Sequence, residues 1–256
     1  MNRIFSIAKN TFRETVRDRI LYNLVLFVLL ITAAAVLLGD LTDGQEARTI
    51  INFGLNAVLL FGVFIAIFVG VGLVSKEIEK RTVFAIFSKP VRRSEFIIGK
   101  FLGLSMTLFL NVTVMGIGVS MALLFVGGTT LIGPAWLSII LIFFELMIIT
   151  AVAILFSSFS TPALSALLTF LVFLIGHLSA SLRDLAVTLG SEAVAIVLEV
   201  IYYLLPNLSL FSFRTEAALG ISPNGVSLFG AIGYSLCYIA AVLAISVVIF
   251  VRRDFK

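Results

Sequence analysis

Residues 75–100, SKEIEKRTVFAIFSKPVRRSEFIIGK, decide how the rest of the chain is read. Seven basic side chains sit here (Lys76, Lys80, Arg81, Lys89, Arg92, Arg93 and Lys100) beside three acids, Glu77, Glu79 and Glu95. Long apolar runs flank the stretch on both sides, so it is a charged connection between two segments that avoid water. Inside it Val83, Phe84, Ile86 and Phe87 share one helical face at about 100° per residue. Four large apolar side chains in a solvated connection need cover, from lipid headgroups or from another protein. The preferred reading is a protein partner, with Val83, Phe84, Ile86 and Phe87 as an apolar knob and Glu77, Glu79, Lys80 and Arg81 as its polar rim. Thr82 is placed to cap a short helix through Phe87 and Pro90 stops it. Ser94-Glu95 then opens the next helix as N-cap and first-turn acid.

Composition sets the class. Hydrophobic residues make up 61% of the 256 and charged residues only 12%, about half the charged share of a soluble domain. Mean hydropathy is +1.18. The chain is therefore read as an all-α integral membrane protein, one domain over 1–256. A hydrocarbon layer of about 30 Å needs about 20 apolar helical residues. Six segments qualify: 20–38, 55–74, 101–125, 136–156, 163–182 and 228–251. With the N-terminus inside, fifteen Lys/Arg fall on inner segments and three (Arg48, Arg183, Arg214) on outer ones. That bias puts both termini in the cytoplasm and the protein in the inner or plasma membrane. The basic balance belongs to the inner loops and does not indicate nucleic-acid binding. Cys237 is the only cysteine, so neither an internal disulfide nor a cysteine metal site is available.

Residues 1–19 read as an interfacial helix: Ile4, Phe5, Ile7, Ala8, Phe12 and Val16 share an arc opposite Lys9, Arg13 and Arg17. A basic start, an apolar run and Ala33-Ala34-Ala35 imitate a cleaved signal, but the stretch ahead of the apolar run is long and amphipathic. Asp40, Asp43 and Glu46 are acids tolerated in an outer loop, with a calcium site as the sharper alternative. Gly62, Ala66 and Gly70 have small-xxx-small spacing, suited to close packing within one bundle or to a dimer face. Residues 183–227 form a long outer connection. Within it 193–205 reads as a re-entrant or interfacial helix, anchored by Tyr202-Tyr203, and 206–213 turns back over the outer mouth. Asn207-Leu-Ser209 matches a glycosylation acceptor by chance.

Two polar residues lie inside apolar segments. Glu145 falls near the middle of 136–156, where an acid is costly and faces the protein interior. His177, the only histidine, lies toward the outer end of 163–182, and antiparallel neighbours can bring the two together. The alternative is that each pairs with local hydroxyls or backbone. If they form a proton relay, the chain is a stand-alone proton-coupled carrier. An intramembrane enzyme has no support, since H-E-x-x-H, G-x-S-x-G and a paired set of catalytic acids are all missing. Gly99-Lys100 only imitates the tail of a phosphate loop, because no G-x-x-x-x-G-K-[ST] occurs.

Three stretches in order, KNTFRETVRDRILY, the 75–100 connection and YYLLPNLSLFSFR before the last span, resemble the ABC-2 type permease family. The branch associated with multi-copper enzyme maturation is the nearest in pattern. The resemblance covers nearly the whole chain. It implies a transport subunit without its own ATPase site. That subunit would pair with a second permease copy, or a related one, and with a separate ATP-binding-cassette ATPase, two copies of which hold ATP and Mg. It implies an interfacial helix over 1–19, a coupling helix over 77–87 and an extracytoplasmic helical element over 193–205. No cofactor, metal or nucleic acid is implied for this chain itself, and the substrate is not identified.

Overall fold

The computed structural model describes residues 2–16, 26–27, 45–79, 92–179, 196, 199–200 and 202–252. Among them every regular element is helical. The helices are α1 (Asn2–Thr15), α2 (Glu46–Glu79), α3 (Arg93–Phe125), α4 (Ile132–Ser157), α5 (Pro162–His177), the short α6 (Arg214–Ala218) and α7 (Gly225–Arg252). Single 3₁₀ turns, Thr129–Leu131 and Leu208–Phe211, precede α4 and α6.

Four described helices are long and apolar enough to cross a membrane: α2 over Glu46–Ser75, α3, the Thr129–Ser157 helix and α7. They correspond to the expected second, third, fourth and sixth spans. The chain is a multi-pass membrane protein. The first expected span lies outside the described residues except for Leu26 and Phe27, and Phe27 is buried with its ring edge-on to Phe61 at 5.9 Å. The fifth is shorter than expected. α5 has 16 residues, about 24 Å of rise, and ends at His177 where Leu178 N–H turns onto the carbonyls of Leu174 and Ile175.

α2 and α3 are longer than their apolar runs because amphipathic turns extend them. Ile50 and Ile51 at the start of α2, and Phe96 and Ile97 at the start of α3, are buried. The start of α3 corrects the expected cap at Ser94. The N-cap is Arg92, with extended backbone (φ −74, ψ 145), and its N–H donates to Glu95 Oε2 at 2.9 Å. The acid expected in the first turn is thus the reciprocal N3 acceptor.

α2, α3, α4, α5 and α7 alternate in direction. The ends that meet at one side carry Glu77, Arg93, Lys100 and Arg252 and form the charged end of the bundle. α4 is the hub, packing on α2, α3, α5 and α7, and 67% of its apolar window is buried against 28% for α7. Hydrophobicity does not draw helices together in lipid, so close approach depends on small residues. A Cβ on Gly62 would collide with Leu146, one on Gly70 would lie 3.1 Å from Ala153 Cβ, and Ala66 is fully buried. The stripe on α2 is therefore used against α4 within the chain.

A second pair, Gly99 and Gly103, does the same for α1. A Cβ on Gly99 would sit 2.7 Å from Ile7 Cγ2, and one on Gly103 2.6 Å from Thr11 Cβ and 2.7 Å from Ala8 O. α1 lies along α3, burying Ala8, Thr11 and Thr15, while Phe5 at the edge of the expected apolar arc is 62% exposed. Outward-facing Phe64, Phe68, Phe109, Phe125 and Phe229 leave an apolar exterior, suited to lipid.

Candidate functional site

Two polar clusters stand out in this apolar bundle. The first is at the charged end. Lys100 is 4% exposed, which a lysine tolerates only when paired. Its Nζ is 2.5 Å from Glu77 Oε1 and 3.9 Å from Glu14 Oε2, and it lies 5.7 Å from the Phe96 ring centroid. One ammonium thus ties α1, α2 and α3. Arg93 adds α7: its Nη1 donates to the carbonyls of Phe250 at 3.1 Å and Val251 at 2.9 Å. A cation on the last carbonyls of a helix satisfies them and complements its dipole. Phe96 stacks on Phe250 with centroids 5.7 Å apart.

Of the eight residues expected to meet a partner protein, Glu77 is the one with a described side chain, and it turns to Lys100. Glu79 is placed by its backbone alone. Lys80, Arg81, Val83, Phe84, Ile86 and Phe87 lie outside the described residues, as do 193–195, 197–198 and 201 of the expected 193–205 helix.

The second cluster is deep in the bundle. Glu145 lies twelve residues back from Ser157 on α4 and His177 fifteen on from Pro162 on α5. From a shared turn these are about 18 and 22 Å of rise, so the two reach similar depth. His177 Nδ1 lies 3.4 Å from Glu145 Oε1, with Glu145 fully buried. The third member is Arg214, whose Nη2 is 3.2 Å from His177 Nε2 and 3.2 Å from Ser212 Oγ. Arg214 is 8% exposed. Its charge acts on both Glu145 and His177.

Arg214 reaches that depth because residues 206–220 enter the bundle rather than only crossing its mouth. Leu208, Phe211, Ala217 and Ala218 are buried, and Ser138 Oγ donates to Phe213 O at 3.0 Å. Gly176, beside His177, admits the incoming backbone: a Cβ there would be 2.7 Å from Pro206 O. Asn207 fastens the entry. Its Oδ1 accepts from Ser179 Oγ at 2.7 Å and Ser209 Oγ at 2.6 Å, its Nδ2 donates to Tyr202 OH at 3.2 Å, and its N–H donates to Tyr234 OH at 2.9 Å. The apparent glycosylation acceptor is thus a structural hub with its amide nitrogen engaged.

Sequence reasoning found Glu145 and His177 but missed Arg214 and Lys100. Arg214 had counted only as an outer-loop base. The available signal was the acid at depth, since a buried carboxylate asks for a cation and the charge bias of the sequence assigns three bases, Arg48, Arg183 and Arg214, to the outer segments. Among the described residues no group of three His, Cys, Asp or Glu is arranged to hold a metal ion. An open apolar groove of about 390 Å³ between α2 and α5 includes Phe68, Val71 and Ala166. Its one hydroxyl, on Ser75, is bonded to Val71 O, so the groove offers shape but no reactive group. No curated protein matches the chain. The family model for ABC-2 family transporter proteins matches residues 5–255, nearly the whole length, and the chain belongs to that family.

Proposed function

We propose that this chain is the membrane permease subunit of an ATP-binding-cassette transporter, driven by a separate ATPase subunit. The observation that carries the reading is the family match over residues 5–255 of a bundle with several span-length apolar helices. Permeases of this family normally work with an ABC ATPase and dimerise. Two ATPase copies would hold ATP and Mg, and a second copy of this chain or a related one would complete the pathway. The finer topology belongs to the same proposal: six spans, both termini in the cytoplasm and residence in the inner membrane. So does the narrower kinship with copper-enzyme maturation permeases, which bears on cargo and is tested by the neighbouring reading frames.

In this reading the ATPase grips Val83, Phe84, Ile86 and Phe87, with Glu79, Lys80 and Arg81 at the rim. Glu77 belongs to the anchor instead. A push on the 80–91 connection passes into α2 and α3, which enter and leave it. Through Lys100 it reaches α1, and through Arg93 it reaches α7, so four helices share the load. Rigid elements joined at one end can carry such a displacement into the bundle. The test is Phe84→Asp with Phe87→Asp. The ATPase should no longer copurify, and its hydrolysis should uncouple from transport. Retained copurification with coupled hydrolysis would defeat the proposal. The contact between Glu145 and His177 favours one rival, the stand-alone proton-coupled carrier. That rival requires transport that follows the pH gradient without ATP and stops in Glu145→Gln.

A further inference from the structure

The deep cluster defines its own protonation pattern. Arg214 is always protonated and can only donate. Its Nη2 faces His177 Nε2 at 3.2 Å, so that nitrogen must offer a lone pair. The single ring proton of His177 is then on Nδ1, which lies 3.4 Å from Glu145 Oε1 without hydrogen-bond geometry and also has the Phe173 backbone within reach. His177 is a neutral imidazole of fixed tautomer, between an acid on one side and a cation on the other.

The cation belongs to a different structural unit from the acid. Glu145 is on α4 and His177 ends α5, whereas Arg214 and Ser212 ride on the 206–220 segment. The other ionisable groups near this segment are Glu216, on the same turn as Arg214, Tyr202, whose OH accepts from Asn207 Nδ2, and Tyr234 of α7, whose OH accepts from Asn207 N–H. The Phe173 ring covers His177 from its own helix with centroids 4.8 Å apart. Besides Arg214, the segment is held by apolar burial, Asn207 and Ser138, none of which changes charge near neutrality.

We propose that His177 is a proton-operated latch for the 206–220 segment. A proton from solvent binding Nε2 replaces the lone pair with an N–H. Two donors, both cationic, then face each other across the former hydrogen bond. Arg214 withdraws, Glu145 retains the imidazolium, and the segment loosens from the bundle. Loss of the proton restores the acceptor and recloses it. The ligand is the proton itself, and the device works whichever chain supplies transport energy.

The test uses the full chain in lipid nanodiscs, with Cys237→Ser removing the native cysteine and nitroxides at Phe125→Cys and Leu219→Cys, both exposed positions. Electron–electron distances are measured from about pH 8 to about pH 3.5, reaching well below the ordinary range in which a histidine changes charge. A single distance at high pH should give way to a second, longer one on acidification. In His177→Gln, which can accept from Arg214 but not take a proton, the short distance should persist at every pH. In Arg214→Gln, which has no cation to repel, the pH response should vanish. Trp136 emission checks that each variant is folded. A parental protein with one distance throughout overturns the latch. So does a pH response that survives in either variant, or a His177→Gln protein already displaced at high pH.

Discussion

Replacing Lys100 with Met would test whether one buried ammonium holds the charged end together. At 2.5 Å from Glu77, the gross attraction at an effective dielectric near 20 is about 7 kcal/mol, and desolvation of the two ions offsets most of it. The intact pair is therefore worth little over a neutral, well-packed substitute. Removing one partner is a different matter, because the buried carboxylate loses its nearest cation, typically at about 3–5 kcal/mol. Glu77 keeps 20% exposure and Glu14 57%, so water recovers part of the loss and the Glu14 contact adds under about 1 kcal/mol. Lys100→Met should cost about 2–4 kcal/mol. Lys100→Met with Glu77→Gln should cost less than the sum of the two single changes, by about 1–2 kcal/mol, because no buried charge is left behind. The assay is SDS-titrated unfolding of the purified chain, followed through Trp136, the only tryptophan. Additive single changes, or a Lys100→Met protein as stable as the parent, would refute the ion-pair account.

Gly103→Ala should lift α1 from α3, because the added methyl meets Ala8 O at 2.7 Å, a backbone atom that cannot rotate aside. The expected cost is about 1–3 kcal/mol, read as faster amide exchange confined to residues 4–15, and unchanged exchange there would contradict the packing. Asn207→Ala removes the acceptor of two hydroxyls and the donor to Tyr202. It should cost about 1–3 kcal/mol and expose 202–213 to protease, and a parent-like digestion pattern would remove Asn207 from its place as hub.

Much of the bundle was legible because spanning helices must satisfy their own backbone and present apolar side chains along their length. Composition and run length suffice to find such helices, and the runs at 55–74, 101–125, 136–156 and 228–251 all lie inside observed helices. The ends were less legible. Amphipathic turns such as 46–54 and 93–100 resemble loop sequence until a neighbour buries their apolar side. Glu145 and His177 were legible as a pair because an acid and a histidine inside apolar segments have few places to go.

What the sequence alone determined, then, is a membrane bundle with a basic connection at 75–92 and two polar residues at depth, since water-avoiding length and charge bias are local properties. The tertiary structure decided which groups meet. It placed Arg214 against His177 and Lys100 against Glu77, pairs separated along the chain by a whole connection or helix. It also directed the glycines at 62 and 70 to α4 and those at 99 and 103 to α1. The sequence pattern shows that a buried charge needs a partner and that a glycine allows close approach, but only the packed chain selects which partner comes within reach.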